Sequence, residues 1–328
     1  MSLDADQIVD RRRMRRKLTF WRVATIFILI AAVVGGGLFF AERRGAIAPM
    51  AGGGSIARVT IEGLIRNSRP RIEALTRLAE SNAKAVIIHI NSPGGTVAGS
   101  EELYDSLMRL KAKKPMVVVV DGLAASGGYI AAMASDRILA QQSSIVGSIG
   151  VLFQFPNFTE LLKTVGVQVE SIKSAPLKAS PNGLEPTTPE ARAAVESLVK
   201  DSFDWFKGLV RDRRGLDQAA VEKVSDGRVY TGRQALQLKL VDGLGDEFAA
   251  VDWLAKEKGI DPKTPVRDYR LSPRFGDLPF LHTGAVWMLD AVGLGGFAER
   301  FKDLGAVQAM ERLNLDGLLA LWHPSATN

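Results

Sequence analysis

One serine, Ser126, stands where a nucleophile would be well placed. It follows an apolar run, 116–120, typical of a buried strand, and precedes a pattern that predicts a helix over 127–135. A serine nucleophile needs a base, and the chain has no histidine between His89 and His282. The best remaining base is Lys178, so the sequence predicts a Ser-Lys hydrolase. The alternative is that Ser126 only caps the helix beside closely packed glycines.

Lys178 could act as a base only if its amine were neutral near pH 7. From a reference of about 10.4, its pKa would have to fall by about 3 units, or roughly 4 kcal/mol. Burial lowers the pKa of a lysine, and residues 175–179 give Lys178 apolar neighbours. Ser148 could orient the amine by a hydrogen bond. Lys178 could equally be a solvated loop lysine, and Lys173 competes with it as the base.

Glycine-bearing turns follow two of the predicted strands. The segment 91–96 contains Gly94 and Gly95, and Gly127 comes directly after Ser126. In open α/β sheets, ligands collect at the carboxyl ends of strands, and glycine lets the backbone approach them closely. The N–H groups of Gly94 or Gly95, together with Gly127, could therefore hold a developing oxyanion. A third turn of small residues, 147–150, contains Ser148.

Apolar runs alternate with helical patterns along the soluble part of the chain. This rhythm predicts an α/β fold with a largely parallel sheet. The predicted strands, with 56–65 as an edge strand, are 56–65, 85–90, 116–120, 137–140, 149–155 and 167–172. The predicted helices are 70–80, 98–111, 127–135, 189–210, 218–224, 233–238 and 247–258.

The N-terminal part of the chain has the pattern of a membrane anchor. Residues 23–40 carry no charge, and the length of this stretch is near the minimum for a transmembrane helix. The basic cluster 11–17 precedes them, so the positive-inside rule puts the N-terminus in the cytoplasm and the rest outside. A cleaved signal peptide is the alternative, with Ala46-Ile47-Ala48 as a cleavage site.

The distribution of charge argues against nucleic acid as a partner. Residues 1–44 hold nine basic and four acidic side chains, and the rest of the chain is almost neutral, with 33 basic and 32 acidic. A charge confined to one end of an apolar segment is explained by membrane topology. Cysteine is absent, and no cluster with metal-ligand spacing is evident. We predict neither metal nor cofactor, and we predict that His89 is packed in the core.

Four motifs in this order resemble the signal peptide peptidase A (SppA) family, serine peptidases of the ClpP/crotonase-type fold. They are Asn91–Gly95, Ala125–Ala131, Gly147–Val151 and Asp226–Ala235. The resemblance spans about 56 to 257 and implies an α/β core of repeated strand-strand-helix units after one N-terminal transmembrane helix. It implies Ser126 as the nucleophile, Lys178 as the general base and Ser148 as its orienting partner. The oxyanion site would then be Gly94, Gly95 and Gly127.

The chain is similar to half-length members of that family, which have one catalytic unit. The resemblance implies a membrane-facing homo-oligomeric ring whose active sites each take serine and lysine from adjacent protomers. It implies remnant signal peptides, or other unfolded polypeptides, as substrates. The implied location is a bacterial-type cytoplasmic membrane. The chain would cross the lipid bilayer once, with its catalytic domain on the extracytoplasmic side. The alternatives are a non-catalytic membrane scaffold and an acyl-CoA enzyme of the crotonase type.

These observations divide the chain into five parts. The predicted parts are a basic cytoplasmic N-terminus (1–18), a transmembrane anchor (19–41), a linker (42–55), a peptidase domain (56–260) and a tail (261–328). The tail has no counterpart in the resemblance. Its apolar islands 286–289 and 318–322 suit amphipathic helices on the membrane, a cover over the active-site opening, or packing on the domain or a neighbour.

Overall fold

The computed structural model describes Trp21, Phe27, Ile30 and residues 54–271 and 319–321. The chain divides into two units, 1–51 and 52–328. In the first unit the three described residues are helical. No helix among the described residues is long and apolar enough to cross a bilayer. The predicted anchor, apart from those three residues, and most of the predicted linker lie outside the described residues.

The second unit alternates strands and helices. The strands are β1 (Ile56–Ile65), β2 (Ala85–Thr96), β3 (Met116–Ala125), β4 (Arg137–Ala140), β5 (Ile145–Gly147), β6 (Val229–Thr231), β7 (Gly243–Leu244), β8 (Val266–Asp268) and β9 (Leu319–Leu321). The helices are α1 (Arg69–Ala79), α2 (Val97–Lys111), α3 (Gly127–Ala132), α4 (Thr159–Thr164), α5 (Pro189–Arg214), α6 (Gln218–Val224), α7 (Gly232–Gln237) and α8 (Glu247–Lys258). The predicted α/β fold is confirmed.

The strands form one sheet in the order β6-β5-β3-β2-β1-β8, with β4 on β3, β7 on β4 and β9 on β2. Strands β1, β2 and β3 run parallel, so their carboxyl ends lie along one edge. The sheet is mixed, because β5 pairs antiparallel with β6 and β2 antiparallel with β9. The prediction of β1 as an edge strand was wrong, since β8 pairs with its outer side.

The core lies on both faces of the three central strands. On one face Ile56, Ile87, Val117 and Val119 pack against Leu254 of α8, all almost completely buried. Because side chains alternate along a strand, the intervening residues face the opposite layer. Burying one such aliphatic side chain contributes about 1.5–3 kcal/mol. The continuous apolar runs therefore fix the central strands, and these place the turns at their carboxyl ends.

Two of the predicted strands do not form. In 149–155 only Leu152 forms a bridge, to Leu319, and the nearby strand is β5 instead. The segment 167–172 has no strand, and Val167, Val169 and Ile172 are exposed. The alternating apolar side chains of this segment are therefore exposed and do not pack into a core.

Candidate active site

Ser126 occupies a tight turn between β3 and α3. Its backbone has φ 54° and ψ −116°, a conformation that residues other than glycine rarely adopt. The turn is held by three backbone hydrogen bonds: the Ser126 N–H donates to the Gly147 carbonyl at 2.7 Å, and the Ser126 carbonyl accepts from Tyr129 and Ile130. The residue is 1% exposed in this chain. The surrounding backbone thus forces the serine into its turn.

The hydroxyl of Ser126 does not cap the helix that follows. It makes no capping hydrogen bond. By contrast, the side chains of Thr96, Thr188 and Thr231 each accept a backbone N–H at the start of α2, α5 and α7. A capping serine would have the extended backbone of those threonines. The interpretation of Ser126 as a simple cap therefore does not fit its geometry.

The glycine turn after β2 lies beside Ser126, because Ser92 of β2 pairs with Ala124 of β3. Gly94 has φ 102°, and its N–H donates to the Ser92 hydroxyl at 3.1 Å. A Cβ at Gly95 would lie 1.8 Å from the Ile65 carbonyl oxygen, so the backbone approach requires glycine there. Of the predicted oxyanion donors, Gly94 is thus already engaged, while Gly127 as the first residue of α3 has no intrahelical acceptor for its N–H.

Sequence reasoning missed the role of Ser92. This serine is completely buried, and its hydroxyl donates to the Gly63 carbonyl at 2.6 Å while accepting from Gly94. It therefore ties the ends of β1 and β2 together and shapes the glycine turn. A serine directly before Pro93 and two glycines was the available signal.

Ser148 lies next to the turn of Ser126. Its neighbour Gly147 pairs with Ala125 and accepts the hydrogen bond from Ser126. Ser148 also has a positive φ, 52°, is 8% exposed, and donates its N–H to the Arg228 carbonyl. The sheet therefore brings Ser126, Ser148 and the Gly94–Gly95 turn to one edge.

Lys178 lies in an exposed turn, in which its N–H donates to the Ala175 carbonyl at 3.0 Å. Within the part of the chain that the structure describes, its ammonium group has no hydrogen bond to Ser126 or Ser148. A single chain therefore brings together the serine side of the predicted site, which is Ser126, Ser148 and the Gly94–Gly95 turn. It leaves Lys178 at the surface.

Lys173, the competing base, is engaged elsewhere. Its ammonium donates to Glu185 at 2.6 Å and to the Ser180 hydroxyl at 3.0 Å. The hydrogen bond from Lys173 is the main reason that the pKa of Glu185 is lowered, so this carboxylate stays ionised opposite the ammonium. The ion pair joins the two ends of the loop that carries Lys178.

An apolar groove of about 520 Å³ lies beside this edge, between the 152–155 segment and α5. Arg192, Glu196 and Lys200 place charge along it. Its apolar lining consists of Leu152, Phe153, Phe155, Pro181, Val195, Val199 and Phe203. The groove is suited to aliphatic or aromatic side chains.

The prediction that His89 is packed in the core was wrong. Its Nδ1 lies 2.8 Å from an Asp121 oxygen, and its Nε2 lies 3.0 Å from a Glu247 oxygen. Arg58 donates two hydrogen bonds to the same Glu247. The side chain thus belongs to a polar cluster between the sheet and α8. Among the described residues no group of three or more His, Cys, Asp or Glu could hold a metal ion.

The mixed α/β sheet, with a strained serine turn at the end of a parallel strand next to a glycine turn, has the ClpP-like fold. A sequence profile of Clp protease matches residues 65–146, and a profile of peptidase family S49 matches 108–261. A putative protease of Synechocystis sp. is 38% identical over 63% of this chain and 76% of its own length. The chain belongs to peptidase family S49, the SppA-like serine peptidases.

Two further relatives carry names that agree with this family. A putative signal peptide peptidase SppA of Enterococcus faecium is 33% identical over 61% of this chain and 59% of its own length. The chloroplastic serine protease SPPA of Arabidopsis thaliana is 32% identical over 67% of this chain and 33% of its own length. The protein is accordingly a serine peptidase.

Proposed function

We propose that Ser126 is the nucleophile and Lys178 the general base of a membrane-anchored endopeptidase. The observation that carries the proposal is the hydroxyl of Ser126, which is held on a strained turn without a capping role, beside the Gly94–Gly95 turn. A strained residue kept in place by its surroundings is a common feature of active sites.

The reaction combines Ser126 and the backbone N–H groups at this edge of the sheet with the amine of Lys178. Lys178 takes the hydroxyl proton as Ser126 Oγ attacks the peptide carbonyl carbon. Backbone N–H groups, with Gly127 and Gly95 as the candidates, stabilise the oxyanion. As the C–N bond breaks, the protonated Lys178 gives its proton to the leaving amine. Water then attacks the acyl-enzyme, with Lys178 again as base, and releases the acid and Ser126.

We further propose that Lys178 acts on Ser126 of a neighbouring protomer in a homo-oligomeric ring. Two observations support this arrangement: Lys178 is exposed in one chain, and so are the apolar side chains around it, with Ile172 fully exposed and Leu177 at 47%. Apolar surface of this kind is covered when a partner packs on it. Burial by the partner would also favour the neutral amine that a base needs.

We propose polypeptides with an apolar stretch as the substrates, such as remnant signal peptides. The groove lined by Leu152, Phe153 and Phe203 supports this choice, since it suits aliphatic and aromatic side chains. An uncharged stretch at 23–40 preceded by basic residues supports an anchor in a cytoplasmic membrane, with the peptidase domain on the extracytoplasmic side.

The test is hydrolysis of a signal-peptide-like fluorogenic peptide by the detergent-solubilised protein. We expect Ser126→Ala and Lys178→Ala each to lower kcat by at least about 100-fold, because each removes a group that acts in the chemical step. Ser143→Ala and Lys256→Ala, at exposed positions, should retain full activity.

Mixing the two inactive variants tests whether the site is shared. If subunits exchange at random in a ring, about a quarter of the sites would pair an intact serine with an intact lysine, so activity should partly return. Exchange without any return of activity would confine the pair to one chain. Full activity of Ser126→Ala would refute the assignment of the nucleophile.

A further inference from the structure

The short helix α3, which begins directly after Ser126, is closely packed along its whole length. Its six residues are all buried, and a Cβ at Gly128 would lie 2.6 Å from the Ser92 carbonyl oxygen. At about 1.5 Å per residue the helix is only about 9 Å long. A shift at its C-terminal end would therefore move Ser126 and the Gly127 N–H at its other end.

Arg213 of α5 holds the C-terminal end of α3. Its Nε donates to the carbonyl of Met133, the residue that ends α3, at 2.8 Å, and a terminal nitrogen donates to the Ser135 carbonyl at 2.9 Å. Lys111 of α2 also donates to the Ser135 carbonyl, at 3.2 Å. The last carbonyls of a helix have no intrahelical donors, and a cation is favoured beside them. Arg213 meets both needs with one planar guanidinium group.

The sequence of α5 explains why Arg213 is directed toward the interior. Phe206 and Val210 are completely buried, and Arg213 follows Val210 by three residues, so all three lie on one face of the helix. The first half of α5 lines the apolar groove, as far along the helix as Phe203. Ten residues, or about 15 Å of helix, separate Phe203 from Arg213. The contact with α3 is therefore remote from the groove.

We propose that Arg213 is a positioning residue for Ser126: it fixes α3 along its axis and so keeps the serine hydroxyl and the Gly127 N–H in place for the reaction. The inference rests on the proposed function, because this position matters for catalysis only if Ser126 is the nucleophile. The hydrogen bonds of Arg213 go to the end of α3, far from the groove. Its loss should therefore lower kcat and leave KM nearly unchanged.

The kinetic test uses the signal-peptide-like peptide and the detergent-solubilised full-length chain. We expect Arg213→Ala to lower kcat by about 10- to 100-fold with KM within about twofold, because a displacement of about 1 Å has effects of this size. Arg213→Lys should recover part of the loss, since an ammonium keeps the charge but lacks the planar fork that reaches two carbonyls. Arg211→Ala, at an exposed position of the same helix, is the matched control and should retain full activity.

Chemical rescue separates positioning from a general loss of structure. Methylguanidinium at millimolar concentration should raise the kcat of Arg213→Ala at least about fivefold and saturably, because it can replace the missing donors. Glu247→Gln is the comparison, since it weakens the contacts of α8 with Arg58 and His89 and does not touch α3. Its kcat should equal that of wild type, with or without the compound.

A second measurement does not depend on catalysis. Hydrogen exchange followed by mass spectrometry should be at least about tenfold faster across 126–135 in Arg213→Ala than in wild type, because the end of α3 opens more often. The segment 247–258, which is α8, should exchange as in wild type. Glu247→Gln should show the opposite pattern, with faster exchange in α8 alone.

The outcomes separate the two proposals. A wild-type kcat in Arg213→Ala would overturn Arg213 as a positioning residue and leave the peptidase assignment intact. So would a fall in kcat that neither methylguanidinium nor lysine at this position lessens. Faster exchange across 126–135 together with full activity of Ser126→Ala would support the hold on α3 and refute the proposed function. If Arg213→Ala does not fold, Arg213→Lys decides, with a lowered kcat at constant KM in favour and a wild-type kcat against.

Discussion

At the scale of single residues, the serine turn holds unfavourable backbone geometry at two positions. Ser126 and Ser148 have φ values of 54° and 52°, and they flank the hydrogen bond between the Ser126 N–H and the Gly147 carbonyl. Each such residue costs about 1–3 kcal/mol relative to a relaxed backbone. Favourable contacts elsewhere in the fold must offset this cost. The strained backbone conformation in turn fixes the direction of the Ser126 side chain.

Replacing Ser126 by glycine should stabilise the protein relative to replacing it by alanine. Glycine adopts a positive φ without steric cost, whereas alanine keeps the strain. We expect Ser126→Gly to have a free energy of unfolding at least about 1 kcal/mol above that of Ser126→Ala, measured by urea denaturation. Both variants should lack peptidase activity.

Ser143 gives the control, because it is exposed and does not have a positive φ. There the order should reverse, with the glycine variant less stable than the alanine variant by about 0.5 kcal/mol, since glycine loses more backbone entropy on folding. The same order at both positions would show that the turn of Ser126 stores no strain.

Much of the serine side of the site could be predicted from the sequence. Ser126, Gly94, Gly95 and Gly127 follow apolar strands whose carboxyl ends must meet, so their proximity follows from the parallel sheet. The backbone conformation of Ser126 and the hydrogen bond from Ser92 to Gly63 could not be predicted, because they depend on neighbours distant in the chain. Lys178 stays a prediction, since spacing along a chain does not say which side chains meet.

At the scale of elements, α8 is tied to the sheet by a charged cluster. Glu247, at the start of α8, accepts hydrogen bonds from Arg58 of β1 at 2.5 and 2.6 Å and faces His89 of β2. The hydrogen bonds from Arg58 are the main reason that the pKa of Glu247 is lowered, although partial burial opposes the shift. The cluster adds directional bonds to the apolar contacts of the same helix.

This lowered pKa predicts how stability changes with pH. A carboxylate whose pKa is lower in the folded state contributes stability above its unfolded pKa, and this contribution is lost as the pH falls through the folded pKa. Glu247→Gln should lower the free energy of unfolding by about 1–3 kcal/mol at pH 7. The difference from wild type should shrink as the pH falls below about 4.3, the reference value for glutamate.

Urea unfolding curves between pH 3 and pH 8 would measure this effect. Glu160→Gln is the control, because Glu160 forms an exposed pair with Lys163 within one helix. It should change the free energy of unfolding by less than about 0.5 kcal/mol throughout. A difference for Glu247→Gln that stays constant with pH would show that the carboxylate charge plays no part.

Every helix except the short α4 was predicted, and so were the three central strands, because their apolar patterns are satisfied by one core. Strands β1, β2 and β3 and helix α8 lie where those patterns placed them. The pattern failed at 149–155, where Ile149 is buried but only Leu152 forms a bridge, and at 167–172, where the apolar side chains are exposed. Short strands such as β8 and β9 depend on pairing between distant segments, which periodicity cannot reveal.

At the scale of the whole molecule, the exposed apolar side chains within 54–271 are concentrated on one segment. We call residues 158–184, which carry Lys178, the lysine segment. Its exposed large apolar side chains are Phe158, Leu161, Val165, Val167, Val169, Ile172, Leu177 and Leu184. Exposed apolar residues gathered in this way mark an interaction surface. The proposed ring would bury them against the neighbouring protomer.

A charge placed on this surface should therefore separate the protomers. We expect Ile172→Glu to reduce the oligomer to smaller species in light scattering of the detergent-solubilised protein, and to lower activity with it, because a carboxylate buried without a partner is costly. Phe248→Glu is the matched control, since Phe248 is 81% exposed on α8, outside the lysine segment. An unchanged oligomer with full activity in Ile172→Glu would rule out this segment as the interface.

The contact of Lys173 with Ser180 and Glu185 sets a limit on the quaternary structure. Lys178 is two residues from Ser180, so its Cα can lie no farther than about 7 Å from that anchor. Its side chain adds about 6 Å, which gives the amine a radius of action of roughly 13 Å around Ser180. A hydrogen bond adds about 3 Å, so any arrangement of protomers that completes the proposed site must bring a Ser126 hydroxyl within about 16 Å of Ser180, unless the Lys173 contact opens.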